Sequence, residues 1–158
     1  MNWIAVAILA YAALGLQTGL GAFIRWGAAQ PSFALLAMVF IAINARPRLA
    51  LLACFAIGAL QDLATQRPLG LFAFSFGLAA FFVARAARSV NREHPLTHLW
   101  CALIAGAITA LAIFARARLH GVGTPLSDAF SGVLYTALLA PVLIGALQRI
   151  KPLFAFRK

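Results

Sequence analysis

The sequence predicts an all-α membrane protein, a single-domain bundle of six transmembrane helices, and three observations predict it. Of the 158 residues 64% are hydrophobic and 10% charged, against roughly 45–50% and about 25% in a soluble domain. A globule this small cannot hide so much apolar surface from water, so the solvent it is built for is lipid. The apolar residues fall into six stretches separated by short polar breaks. No stretch alternates with period two over the ten or so residues that a membrane strand needs, which excludes a β-barrel.

The first stretch, residues 2–24, has no basic n-region, and its length exceeds the 7–15 residues of a signal-peptide core. It is therefore read as a retained span, and its Gly15 and Gly19 form a Gly-xxx-Gly pair, the spacing that lets helix backbones approach. After a break containing Arg25, the second stretch covers residues 31–45 from Pro31. At 1.5 Å per residue it reaches only about 22 Å of a ~30 Å hydrocarbon core, so it either crosses by local thinning or with neighbours covering its ends, or is re-entrant and leaves five spans.

The third stretch, residues 47–64, opens with Pro47, where a missing N–H costs nothing. The linker Thr65-Gln66-Arg67-Pro68 leads to the fourth, residues 69–84. There Gly70, Phe74, Gly77 and Phe81 alternate small and large along one stripe, suited to interdigitate with a neighbouring helix. A polar segment follows over residues 85–98, then the fifth stretch, 99–115, with small residues Ala102, Gly106 and Ala110 at spacing four. The sixth covers residues 127–147. Its Pro141 removes a helix hydrogen bond and should kink the helix. Asp128 suits the positive end of the helix dipole, with Ser127 or Thr124 as caps.

Thirteen Lys and Arg face three acids, for a net charge of +10. In a soluble domain this would suggest nucleic acid. Here the basic residues lie between apolar stretches and in the tail with Arg149, Lys151, Arg157 and Lys158, the pattern of the positive-inside rule, so the expected partner is the bilayer and not nucleic acid. Six spans with both termini cytoplasmic divide the basic residues nine inside to four outside. Five spans with the N-terminus outside give ten to three, so charge does not choose between them; six spans is the expectation taken forward. Cys54 and Cys101 both sit within apolar stretches and read as packed thiols.

Asp62, near the end of the third stretch, is the acid to explain, because an ionised Asp at a helix centre costs about 2.5–3.5 kcal/mol and less near an interface. Arg67 is its local candidate partner, with Arg25, Arg116 and Arg118 as candidates from elsewhere. Gly58 lies four residues earlier on the same helix face. Two readings stay open: a structural ion pair pinning the third helix to the fourth, or a ligand or partner contact. Proton transport is disfavoured because no second carboxylate lies within a span to relay a proton. His94 and His98 with Glu93 have metal-like spacing, but Pro95 stands between the two histidines in what reads as a solvated loop. With no nucleophile triad, phosphate loop or paired carboxylates, the chain is expected to be no enzyme and to need no cofactor.

Residues 31–83 carry a recognisable pattern: Pro31 opening a short span, a basic hinge at Pro47, Gly58-x-x-x-Asp62, a short turn, and Gly70 opening the next helix. This pattern resembles the bacterial rod-shape-determining MreD family, and the segment from Leu134-Tyr135 to Pro141 with the basic C-terminus looks like that family's last span. The turn Gln66-Arg67-Pro68 departs from the small Ser or Gly residues usual in the family. The resemblance implies a non-enzymatic multispan inner-membrane subunit of the cell-elongation complex. It would bind MreC and act with MreB, RodA and its transpeptidase partner to direct lateral peptidoglycan synthesis and cell shape. It also implies a bundle similar to the substrate-binding subunits of energy-coupling-factor vitamin transporters, which supplies the alternative, a small-molecule-binding transport subunit. Gly15 and Gly19 are the expected partner-helix contacts.

Overall fold

The computed structural model describes residues 3–19, 31–65, 70–89, 94–119 and 126–149. They form six α-helices: α1 (Trp3–Gly19), α2 (Phe33–Asn44), α3 (Pro47–Ala64), α4 (Leu71–Ser89), α5 (Pro95–Leu119) and α6 (Leu126–Arg149). By length and composition α3, α5 and α6 are long and apolar enough to cross a membrane, and α1, α2 and α4 are shorter apolar helices.

The architecture is set by α2. All ten residues from 34 to 43 are buried, as expected of a helix that is apolar all round and therefore belongs inside a protein. It packs against every other helix, while α1, α3, α4, α5 and α6 follow one another around it. Consecutive members of that series touch, but the described backbones of α1 and α6 do not adjoin. The twelve residues of α2 span only about 18 Å, so the helix is held by protein along its length.

Packing against this centre uses small residues. Ala53 of α3, Ala79 and Ala80 of α4, and Ala102 and Ala105 of α5 are all buried in one core with α2. The outward faces carry bulk, such as Leu52 and Phe55 on α3 and Leu134, Leu138 and Val142 on α6. Lipid gives helices no hydrophobic reason to associate, so close backbone approach over small residues has to hold the bundle together. The Ala102, Gly106, Ala110 stripe of α5 is of this kind: a Cβ built on Gly106 would lie 2.6 Å from Val133 Cγ1 of α6.

Four expectations are corrected. The segment 85–98 is not one loop, because α4 continues to Ser89 and α5 begins at Pro95. Ala84-Arg85-Ala86-Ala87 is built from strong helix formers; a charge marks the edge of the hydrocarbon and not the end of the helix. His98 accordingly sits buried in the first turns of α5, its Nε2 2.8 Å from Gln148 Nε2 of α6. His94 precedes the helix and its Nδ1 accepts from the Leu96 amide at 3.4 Å.

The Phe74 and Phe81 stripe does not interdigitate within the bundle, since both rings face outward at 69% and 49% exposure. The inward face of α4 is Phe72, Phe76, Ala79, Ala80 and Val83, with Phe72 and Phe76 edge to face at 5.7 Å. When lipid surrounds a helix, both of its faces are apolar, so hydrophobicity does not mark the inner one. Finally, α6 starts at Leu126, which places Ser127 inside its first turn and not at a cap, while Asp128 stands in that first turn, as expected; Thr124 lies outside the described residues. The helix runs on through Pro141, and Pro47 stands at the first position of α3, behind an extended Arg46.

Candidate functional site

The α3–α4 junction is built on two glycines and one acid. A Cβ on Gly58 would lie 2.5 Å from the Phe72 carbonyl oxygen and 2.6 Å from Ala73 Cα. The start of α4 therefore rests directly on the bare backbone of α3. One turn further along the same face, Asp62 is fully buried. Its Oδ2 accepts from the Gly70 amide at 2.9 Å and the Ala73 amide at 3.2 Å. Its Oδ1 accepts from the Phe72 amide at 3.0 Å.

These are amides that the first turn of a helix cannot satisfy from within. A carboxylate suits them doubly, because the helix dipole is positive there and hydrogen bonds to a charged acceptor are the stronger kind. Gly70 turns the chain into α4 with φ +106°, a conformation in which a Cβ is unfavourable. Its carbonyl accepts the first helical bond, from the Phe74 amide at 2.9 Å. Gly58, Asp62 and Gly70 are thus one device, in which close approach, a cap and a left-handed turn depend on one another.

The charge partner expected from α5 is not part of it. Among the described residues no ion pair joins Asp62 to Arg116 or Arg118. Arg118 instead places its guanidinium 5.1 Å from the centre of the Phe114 ring. Oriented backbone amides stabilise the carboxylate where a cation was expected to. Arg25 and Arg67 lie outside the described residues.

A second polar arrangement lies at the start of α2 and was not anticipated. Ser32, behind the buried Pro31, caps the helix through its Oγ, which accepts from the Leu35 amide at 3.3 Å. The Ser32 amide donates to Thr136 Oγ1 of α6 at 3.0 Å, and the Ala34 amide donates to Gln17 Oε1 of α1 at 3.2 Å. The available signals were a Ser directly before an apolar run, an N-cap signature, and the isolated polar residues Gln17 and Thr136 inside apolar stretches.

Gly15 and Gly19 are the opposite of Gly58. Both are exposed, and a Cβ on either would meet nothing within 4 Å. Their stretch of α1 offers a shallow, open surface, while Tyr11 projects at 82% exposure.

Among the described residues the arrangement holds helices together and presents a surface. A family model described as rod shape-determining protein MreD matches residues 1–150. No curated protein and no solved structure matches the chain.

Proposed function

The chain belongs to the MreD family of rod shape-determining proteins, and from that premise we propose that it is a non-enzymatic subunit of the bacterial cell-elongation complex in the inner membrane. In this role it binds MreC, works beside MreB, RodA and its transpeptidase partner, and helps to direct lateral peptidoglycan synthesis. The family match over residues 1–150 carries the reading. The Asp62 cap supports it from the side of chemistry, because both carboxylate oxygens are engaged by backbone amides and serve the scaffold.

The partner helix is assigned to α1. Helices already in a bilayer associate by close packing over small residues or by hydrogen bonds, and Gly15 and Gly19 stand open on that helix. The experiment pairs detergent-stable yield with MreC copurification. For Gly19→Leu the yield should hold while MreC is lost. Gly106→Leu should lower the folded yield itself, because its new side chain would run into Val133. Full MreC binding by Gly19→Leu would remove α1 as the partner face.

Both termini are placed in the cytoplasm with six crossings, in keeping with the nine-to-four division of basic residues. The short α2 crosses by lying within the other helices, which cover its ends. A topology reporter fused at Met1 should be active only in its cytoplasmic form. Activity confined to the periplasmic form would establish the five-span arrangement instead.

A further inference from the structure

We propose that the first turn of α2 is a clasp that couples α1 to α6, two helices whose described backbones do not adjoin. The series of helices around α2 is open between its first and last members, because among the described residues no Cα of α1 lies within 8 Å of a Cα of α6. Both nevertheless reach the same turn. Gln17 of α1 accepts from the amide of Ala34, and Thr136 of α6 accepts from the amide of Ser32. Those two amides are two residues apart, at the end of a helix whose core is buried on every side.

The physical case rests on what the two amides would otherwise do. The first amides of a helix have no acceptor within it, and in lipid no water stands by to replace a lost acceptor. The turn is therefore held at Ser32 and Ala34 by side chains from opposite sides of the gap. Thr136 is itself fixed, since its hydroxyl donates to the Gly132 carbonyl at 2.7 Å and so directs a lone pair at Ser32. On α1, Val6, Ala10 and Ala13 are buried and Ala5, Leu9 and Leu14 pack against the core, and Gln17 adds a hydrogen bond near the end of that helix. A shift of α1 pulls on the turn at Ala34, and the turn passes it to Thr136 through Ser32. The clasp stands on these bonds alone and does not depend on which protein binds α1.

The test is a double-mutant cycle on the full-length chain in one detergent, read as thermal midpoints. Gln17→Met and Thr136→Val remove the two acceptors while nearly keeping side-chain size. Each should lower the midpoint by roughly 2–4 °C, the shift that about 1 kcal/mol produces in a chain of this size. The double variant should lose clearly less than the sum, because a turn freed at one amide has already weakened its bond at the other. Thr136→Ser, which keeps the hydroxyl, should restore the midpoint. As a reference, Thr109→Val removes a hydroxyl bonded within α5 to the Ala105 carbonyl and should combine additively with Gln17→Met. Additive or larger losses for the Gln17→Met, Thr136→Val pair would overturn the clasp, as would single variants with unchanged midpoints.

Discussion

Asp62→Ala should remove most of the folded protein from the membrane. The substitution leaves the amides of Gly70, Phe72 and Ala73 without their acceptor, and those of Phe72 and Ala73 are buried. Each buried unsatisfied donor costs about 1–3 kcal/mol, so the two buried ones alone cost about 2 kcal/mol or more, a large share of the 5–15 kcal/mol that stabilises a typical domain. Asp62→Asn should be intermediate, since it keeps one acceptor oxygen but turns an N–H donor toward an amide and removes the charge that favours the helix end. The measurement is monodisperse yield in size-exclusion chromatography beside MreC copurification. Binding should fall only in proportion to folded protein. Normal yield with binding lost would make Asp62 a partner contact instead of a cap.

The second large effect is expected at Gly58, where even one methyl group is too much. The Cβ of Gly58→Ala would stand 2.5 Å from the Phe72 carbonyl oxygen. Backbone cannot rotate away as a flexible side chain can, so α4 must shift bodily and its first-turn amides leave Asp62. The same change at Gly15 or Gly19 meets nothing within 4 Å and should stabilise the isolated protein by up to about 1 kcal/mol through helix propensity. One substitution type thus has opposite signs on two helices. Because Gly58→Ala and Asp62→Ala break the same junction, the double variant should be little worse than the poorer single. Thermal midpoints of the four proteins decide it, and strict additivity would mean that Gly58 and Asp62 act separately.

The sequence carried the existence and type of every element, because apolar runs between charges are a strong signal and lipid leaves helices as the main solution. It also located the junction, since Gly58 and Asp62 at spacing four and Gly70 beyond them are visible as residues. What it could not carry was the partner of Asp62. A search for an opposite charge considers side chains, and the group that answers the carboxylate is the backbone of the next helix. Helix ends escape for a related reason: polarity alone puts Arg85 and His98 in a loop, whereas the helices continue through both. The inward face of α4 is not legible in residue type, because Phe74 and Phe76 are alike, one exposed and one buried.

The buried, short α2 has a consequence for how the protein is made. Twelve residues are too few to be recognised as an independent span, since insertion needs about 20 apolar residues. Its leading amide at Ser32 is answered by Thr136, which is synthesised about a hundred residues later. A nascent chain halted before α6 would hold its second helix incompletely satisfied and uncovered on one side. The last helix to emerge therefore completes the seating of the second, and a chain truncated ahead of Leu126 should be cleared by membrane quality control, not stored as a smaller bundle.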